Sequence, residues 1–141
     1  MLVGDVIDGR REVAFRVSAT PATFATAGEK PWRAEVEAAA AIGVTGQASF
    51  EGRLGIGLDF VLPTRPGGHP GWDLDNLIKP TIDALATVIG SRPGQWRSPQ
   101  VDDERVDEIR ARKREVLDGE SPHGTIRVWT LDPSASDQGA T

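Results

Sequence analysis

Between Leu54 and Leu62 the side chains alternate without a break. Leu54, Ile56, Leu58, Phe60 and Leu62 fall on one side, with Gly55, Gly57, Asp59 and Val61 on the other. A period of two marks a β-strand with one face in a core. Five large apolar residues on that face need a sheet beside them and an apolar layer above them. The opposite face carries two glycines, which predicts a bend or a close backbone neighbour there. Whatever this chain folds into has to be built around that strand.

Other segments supply the partners. Val13, Phe15 and Val17 alternate with Ala14, Arg16 and Ser18, a half-buried strand, and Gly124 to Leu131 reads as a final strand through Ile126, Val128 and Trp129. A helix is predicted from Pro31, a favoured first helical residue, to about Ile42. Trp32, Val36, Ala39 and Ala40 share one face of it, with Arg33, Glu35 and Glu37 away from that face and Gly43 as the stop. A second helix is predicted over Ile78 to Ile89, with Ile78, Ile82, Leu85 and Ile89 facing the core. Pro80 sets its first turn near Leu77 to Pro80 and leaves Asp73 to Asn76 in the preceding loop. Residues 63–72 hold three prolines and three glycines, and 90–100 carry Arg92, Trp96 and Arg97; both read as loops. Glu104 to Leu117 is ambiguous. Its periodicity favours a helix, while a strand from about Arg105 to Lys113 would turn Ile109 and Ala111 to the core.

At 141 residues the chain has the length of one domain, large enough to bury about two-thirds of its unfolded surface. The expected division is a single domain over 1–131 and a polar, disordered tail over 132–141. With no cysteine, disulfides and thiolate zinc sites are excluded. The opening residues lack a signal-peptide pattern and no apolar run reaches membrane-spanning length, so the expectation is a cytoplasmic protein with no membrane partner. A net charge of −5 argues against a general polyanion binder; phosphate contacts would depend on local Lys and Arg.

The chemistry concentrates in Gly71-Trp-Asp-Leu-Asp-Asn-Leu-Ile-Lys-Pro80, where Asp73 and Asp75 stand two apart and Lys79 follows. A second acidic pair, Asp102-Asp103, comes later. Carboxylates held close repel by about 4 kcal/mol at an effective dielectric of ~20, unless a cation sits between them. Asp73, Asp75 and Asp103 offer the oxygen donors a hard divalent cation takes, and Lys79 suits a phosphoryl oxygen gaining charge. Taken alone, each acidic pair is more commonly a helix cap or turn. His69 and His123 read as solvated loop residues, and Arg110, Arg112, Lys113 and Arg114 as a solvated face that also suits phosphate contacts.

Asp73-Leu-Asp-Asn-Leu-Ile-Lys-Pro-Thr-Ile-Asp-Ala-Leu85, followed by Val101-Asp-Asp-Glu-Arg-Val106 and a basic run to Lys113, resembles the RusA family of Holliday-junction resolvases. The resemblance covers Asp73 to Lys113. It implies an α/β (α+β) homodimer with a small mixed sheet and two main helices. It also implies an endonuclease dependent on Mg²⁺, with Mn²⁺ as a substitute, that nicks paired strands of four-way DNA junctions in recombination and repair. On that resemblance Asp73, Asp75 and Asp103 hold the metal, Lys79 is needed for catalysis, and the segment after Asp103 is a strand. Arg65, Arg92, Arg97, Arg110, Arg112 and Lys113 are the candidates for contacting DNA phosphates. The alternative is a non-catalytic member that binds nucleic acid or protein through the same acidic site.

Overall fold

The computed structural model describes residues 5–7, 10–64, 72–94 and 99–131. One short strand and three long ones join the alternating segment in a sheet: β1 (Asp5–Ile7), β2 (Arg10–Val17), β3 (Leu54–Leu62), β6 (Val106–Glu115) and β7 (His123–Thr130), with three helices, α1 (Glu29–Gly43), α2 (Leu74–Asp83) and α3 (Ala86–Ile89). A small separate hairpin is formed by β4 (Ser91–Pro93) and β5 (Pro99–Val101). The main sheet is mixed, in the order β1-β2-β7-β3-β6. β3 runs antiparallel to β7 and parallel to β6. Parallel neighbours cannot be joined by a hairpin, so the chain between β3 and β6 crosses over through α2 and α3. β2 is also antiparallel to β7, so β2 and β3 point the same way and α1 makes the other crossover.

The alternation of β3 is realised residue for residue. Leu54, Ile56, Leu58, Phe60 and Leu62 are all buried, and they join Val13, Phe15, Val17, Ile126 and Val128 in one core. Trp32, Val36 and Ala40 of α1 close over it, with Leu77 and Ile82 of α2 and Val88 and Ile89 of α3. Burying these side chains drives the fold, at about 25 cal/mol for each Å² of apolar surface. The bare face of β3 is filled by a side chain from β7. Trp129 lies opposite Gly55, and a Cβ on Gly55 would overlap its indole. The ring is buried there, with the Arg110 and Arg127 guanidinium carbons each 5.6 Å from its centre.

Three expectations change. The second helix is two helices, and α2 begins at Leu74, four residues earlier than the periodicity gives. Pro80 therefore sits inside α2, where it cannot donate to the Asn76 carbonyl. That carbonyl accepts the Phe24 N–H instead, at 3.0 Å, which removes the penalty and pins the loop before α1 to α2. Second, Val106–Glu115 is the strand that the resemblance implied and not the helix that its periodicity favours, because pairing along β3 overrides propensity. Third, the 90–100 segment contains the β4–β5 hairpin, and β1 was not anticipated. The expected tail over 132–141 lies outside the described residues. Among the described residues no helix is long and apolar enough to cross a membrane.

Candidate active site

Asp73 is the N-cap of α2, with extended backbone (φ −71°, ψ 146°). Its position is that of a cap, but its carboxylate makes no capping bond; only its carbonyl accepts, from the N–H groups of Asn76 (3.1 Å) and Leu77 (3.2 Å). Asp75, in the first turn, forms no hydrogen bond or ion pair with the described residues, and both carboxylates are exposed. Lys113 of β6 donates from Nζ to the Trp72 carbonyl at 2.7 Å and so holds the residue that leads into Asp73. The orientation of α2 is fixed from α1, where buried Trp32 donates Nε1–H to Thr81 Oγ1 at 2.9 Å.

Further along α2, Lys79 and Asp83 form an i,i+4 pair at 3.3 Å. Together with Asp75 they make a row, each residue one turn from the next. Lys79 and Asp83 open into a cleft of about 280 Å³ that is also lined by Arg33 of α1, by Arg92, Pro99, Gln100 and Val101 of the hairpin, and by Asp103. The Arg92 guanidinium lies 3.2 Å from Asp103 Oδ1. Lys79 and Asp103, 24 residues apart in sequence, thus line one cavity. Asp73 and Asp75 do not line it.

The two halves of the Asp102-Asp103 pair have separate jobs. Asp102 donates its N–H to the Gly90 carbonyl at 2.9 Å, and its carboxylate lies 3.7 Å from Arg105. Asp103 starts a single 3-10 turn, Asp103–Arg105, and is exposed to the cleft. Arg105 then secures that turn: it donates to the carbonyls of Gly52 (3.0 Å), Ile89 (2.7 Å) and Phe50. The Ile89 carbonyl is an orphan at the end of α3, a group that needs a donor from outside the helix. Arg53 grips the start of β6 from the other side, with both Asp107 oxygens (2.5 and 2.9 Å) and the Glu104 carbonyl (2.7 Å). Hydrogen bonding to Asp107 and then Glu104 raises the Arg53 pKa above its ordinary value, and the same bond lowers that of Asp107.

The cleft carries three cationic side chains, Arg33, Lys79 and Arg92, against two carboxylates, Asp83 and Asp103. Its acids are therefore neutralised by the chain's own cations, and among the described residues no three carboxylate or imidazole groups gather as a metal cage. The donor set still suits a hard cation. Mg²⁺ commonly takes one or two carboxylates and fills its other positions with water and phosphate oxygens, which Asp73 and Asp75 can provide for.

The basic candidates divide. Arg92 is at the cleft. Lys113 lies beside Phe60 and faces the helices, whereas Arg110 and Arg112 lie beside Gly57 and Asp59 and face the other side of the sheet. Arg112 pairs with Asp59, and Arg110 with Glu108 at 3.4 Å. Arg65, Arg97 and His69 lie outside the described residues. His123 is buried rather than solvated, with Nδ1 2.9 Å from the Ser121 carbonyl. Sequence reasoning missed Arg33, Arg53 and Arg105. Asp83 had a signal, its spacing of four from Lys79; Arg105 had none, since the carbonyls it collects come from three distant segments. No known protein-family model matches this chain, and no curated protein does.

Proposed function

We propose that this chain is a magnesium-dependent endonuclease of the RusA type, a cytoplasmic homodimer that nicks four-way DNA junctions in recombination and repair. The observation that carries this reading is the convergence of Lys79 and Asp103 on one cleft. One further fact supports it: the Asp73 and Asp75 carboxylates form no hydrogen bond or ion pair with the described residues.

When bound, a divalent cation polarises the scissile phosphate and lowers the pKa of a water. Asp73 and Asp75 would hold it at the start of α2; Asp103, paired with Arg92 in the neighbouring cleft, would be the further donor that the resemblance implies. Lys79, one turn beyond Asp75, stabilises negative charge on the phosphoryl oxygens, and the N-terminal end of α2 adds partial positive charge on the same side. Arg92 and Arg33 orient the DNA backbone at the cleft. Lys113 positions Asp73 through the Trp72 carbonyl.

The test is a panel of branched DNAs incubated with and without Mg²⁺. Wild type nicks four-way junctions only with the metal. Asp75→Asn loses the cleavage while its unfolding free energy stays within about 0.5 kcal/mol, as for an exposed side chain. Undiminished cleavage by Asp75→Asn would overturn the assignment.

The charge balance of the cleft favours one other reading. With Asp103 held by Arg92 and Asp83 by Lys79, the site works without any metal as a phosphate-binding surface of a non-catalytic module. That reading requires junction binding that is indifferent to Mg²⁺ and no nicking of any branched substrate.

A further inference from the structure

β6 ends the sheet, and its outer edge has no strand partner among the described residues. It is ten residues long and mostly exposed. A strand edge of that length is a template for another strand unless something covers it. Ile109 sharpens the point. It lies beside Ile56, which is fully buried, yet Ile109 is 46% exposed.

The charges along β6 are sorted by position. Asp107 and Glu108 come first, and Arg110, Arg112, Lys113 and Arg114 follow before a closing Glu115. A second copy laid parallel would set like against like. Laid antiparallel, it sets the acidic start of one strand against the basic end of the other. We infer that this edge is the docking surface for a second copy of the chain, paired antiparallel with Ile109 on the two-fold axis.

The register follows from elimination. Directly opposed residues in an antiparallel pair share a face of the sheet. Under two-fold symmetry they must then be both odd-numbered or both even-numbered. A charged residue on the axis would face its own copy, so the axis falls on Val106, Ile109 or Ala111. Val106 on the axis pairs almost none of the strand. Ala111 on the axis opposes Arg110 to the partner's Arg112. Ile109 on the axis opposes Ile109 to the partner's Ile109 and Glu108 to the partner's Arg110; the register shift at Asp107 ends the regular pairing there. No like charges then meet.

The two sheets become one continuous sheet with both helix layers on the same side, so both clefts face the same way. This surface rests on the homodimer proposed above but not on its nuclease activity. Pairing of one strand is a small interface, so the dimer should dissociate on dilution through about the micromolar range.

The absence of cysteine makes the test direct, because Ile109→Cys introduces a single thiol. A short thiol-to-thiol cross-linker should convert that variant to a covalent dimer and leave Thr45→Cys, on an exposed turn, monomeric. Glu108→Arg should weaken self-association by light scattering about tenfold, since two cross-strand pairs change sign at once. Adding Arg110→Glu to the same chain should restore it. A chain that is monomeric at every concentration overturns both the edge and the dimer. A dimer that neither cross-links through position 109 nor responds to Glu108→Arg overturns the edge alone, and the homodimer then uses another surface.

Discussion

Arg105 reaches three main-chain carbonyls with one planar guanidinium, from β6's approach to the ends of α3 and the loop before β3. It fixes where Asp103 stands without touching it. Arg105→Ala should destabilise the fold by about 2–3 kcal/mol, measured by denaturant unfolding, because three carbonyls, two of them part-buried, lose charged donors. Arg105→Lys should recover little, as one ammonium cannot span the fork. A different residue contributes on the acid side. Two hydrogen bonds from Arg114 (2.6 and 2.7 Å), and then the Leu117 N–H, hold the Glu120 carboxyl down at about 2, against an ordinary 4.5. A depressed carboxyl contributes stability that is whole above pH 4.5 and is lost as pH falls towards 2. The gap in unfolding midpoint between wild type and Glu120→Gln should accordingly close across that window. If the gap persists at pH 2, the carboxylate is not its source.

At the scale of elements, β3 was legible to the residue because a half-buried strand writes its environment as a period of two. The neighbour predicted for Gly55 is there too, though as a side chain, Trp129, and not as backbone. Gly55→Ala should therefore destabilise by about 1–3 kcal/mol through overpacking, and Trp129→Val in the same chain should return part of that loss in a double-mutant cycle. Full additivity would mean the two do not meet. The start of α2 was not legible. Sequence reasoning treats Pro80 as a helix breaker, and nothing local to it reveals that Phe24 will satisfy the Asn76 carbonyl. β6 was legible only through the resemblance, since its apolar spacing is helical and its place beside β3 is what makes it a strand. Among the candidate site residues, Lys79 and Asp103 line one cleft without touching each other. Asp73 and Asp75 stand apart from that cleft. The division of Arg110 and Arg112 from Lys113 is simple strand alternation, visible only once the segment is known to be a strand.

For the molecule as a whole, the sheet divides the chemistry between two sides. The helix side holds the cleft and the start of α2, and the other holds Trp129 between its two arginines. The cleft itself is a product of assembly, since α1, α2, the hairpin and the turn before β6 each contribute one wall. The bond between Phe24 and Asn76 bears on how that assembly proceeds. A helix normally closes its hydrogen bonds within itself, so it can flicker into being early and alone. Here one carbonyl near the start of α2 is satisfied only by a residue 52 positions earlier in the chain. Local helix formation is thereby tied to a long loop closure, which slows folding but makes it cooperative. The helix that carries Asp73, Asp75 and Lys79 therefore reaches its full complement of bonds only once Phe24 has docked against it.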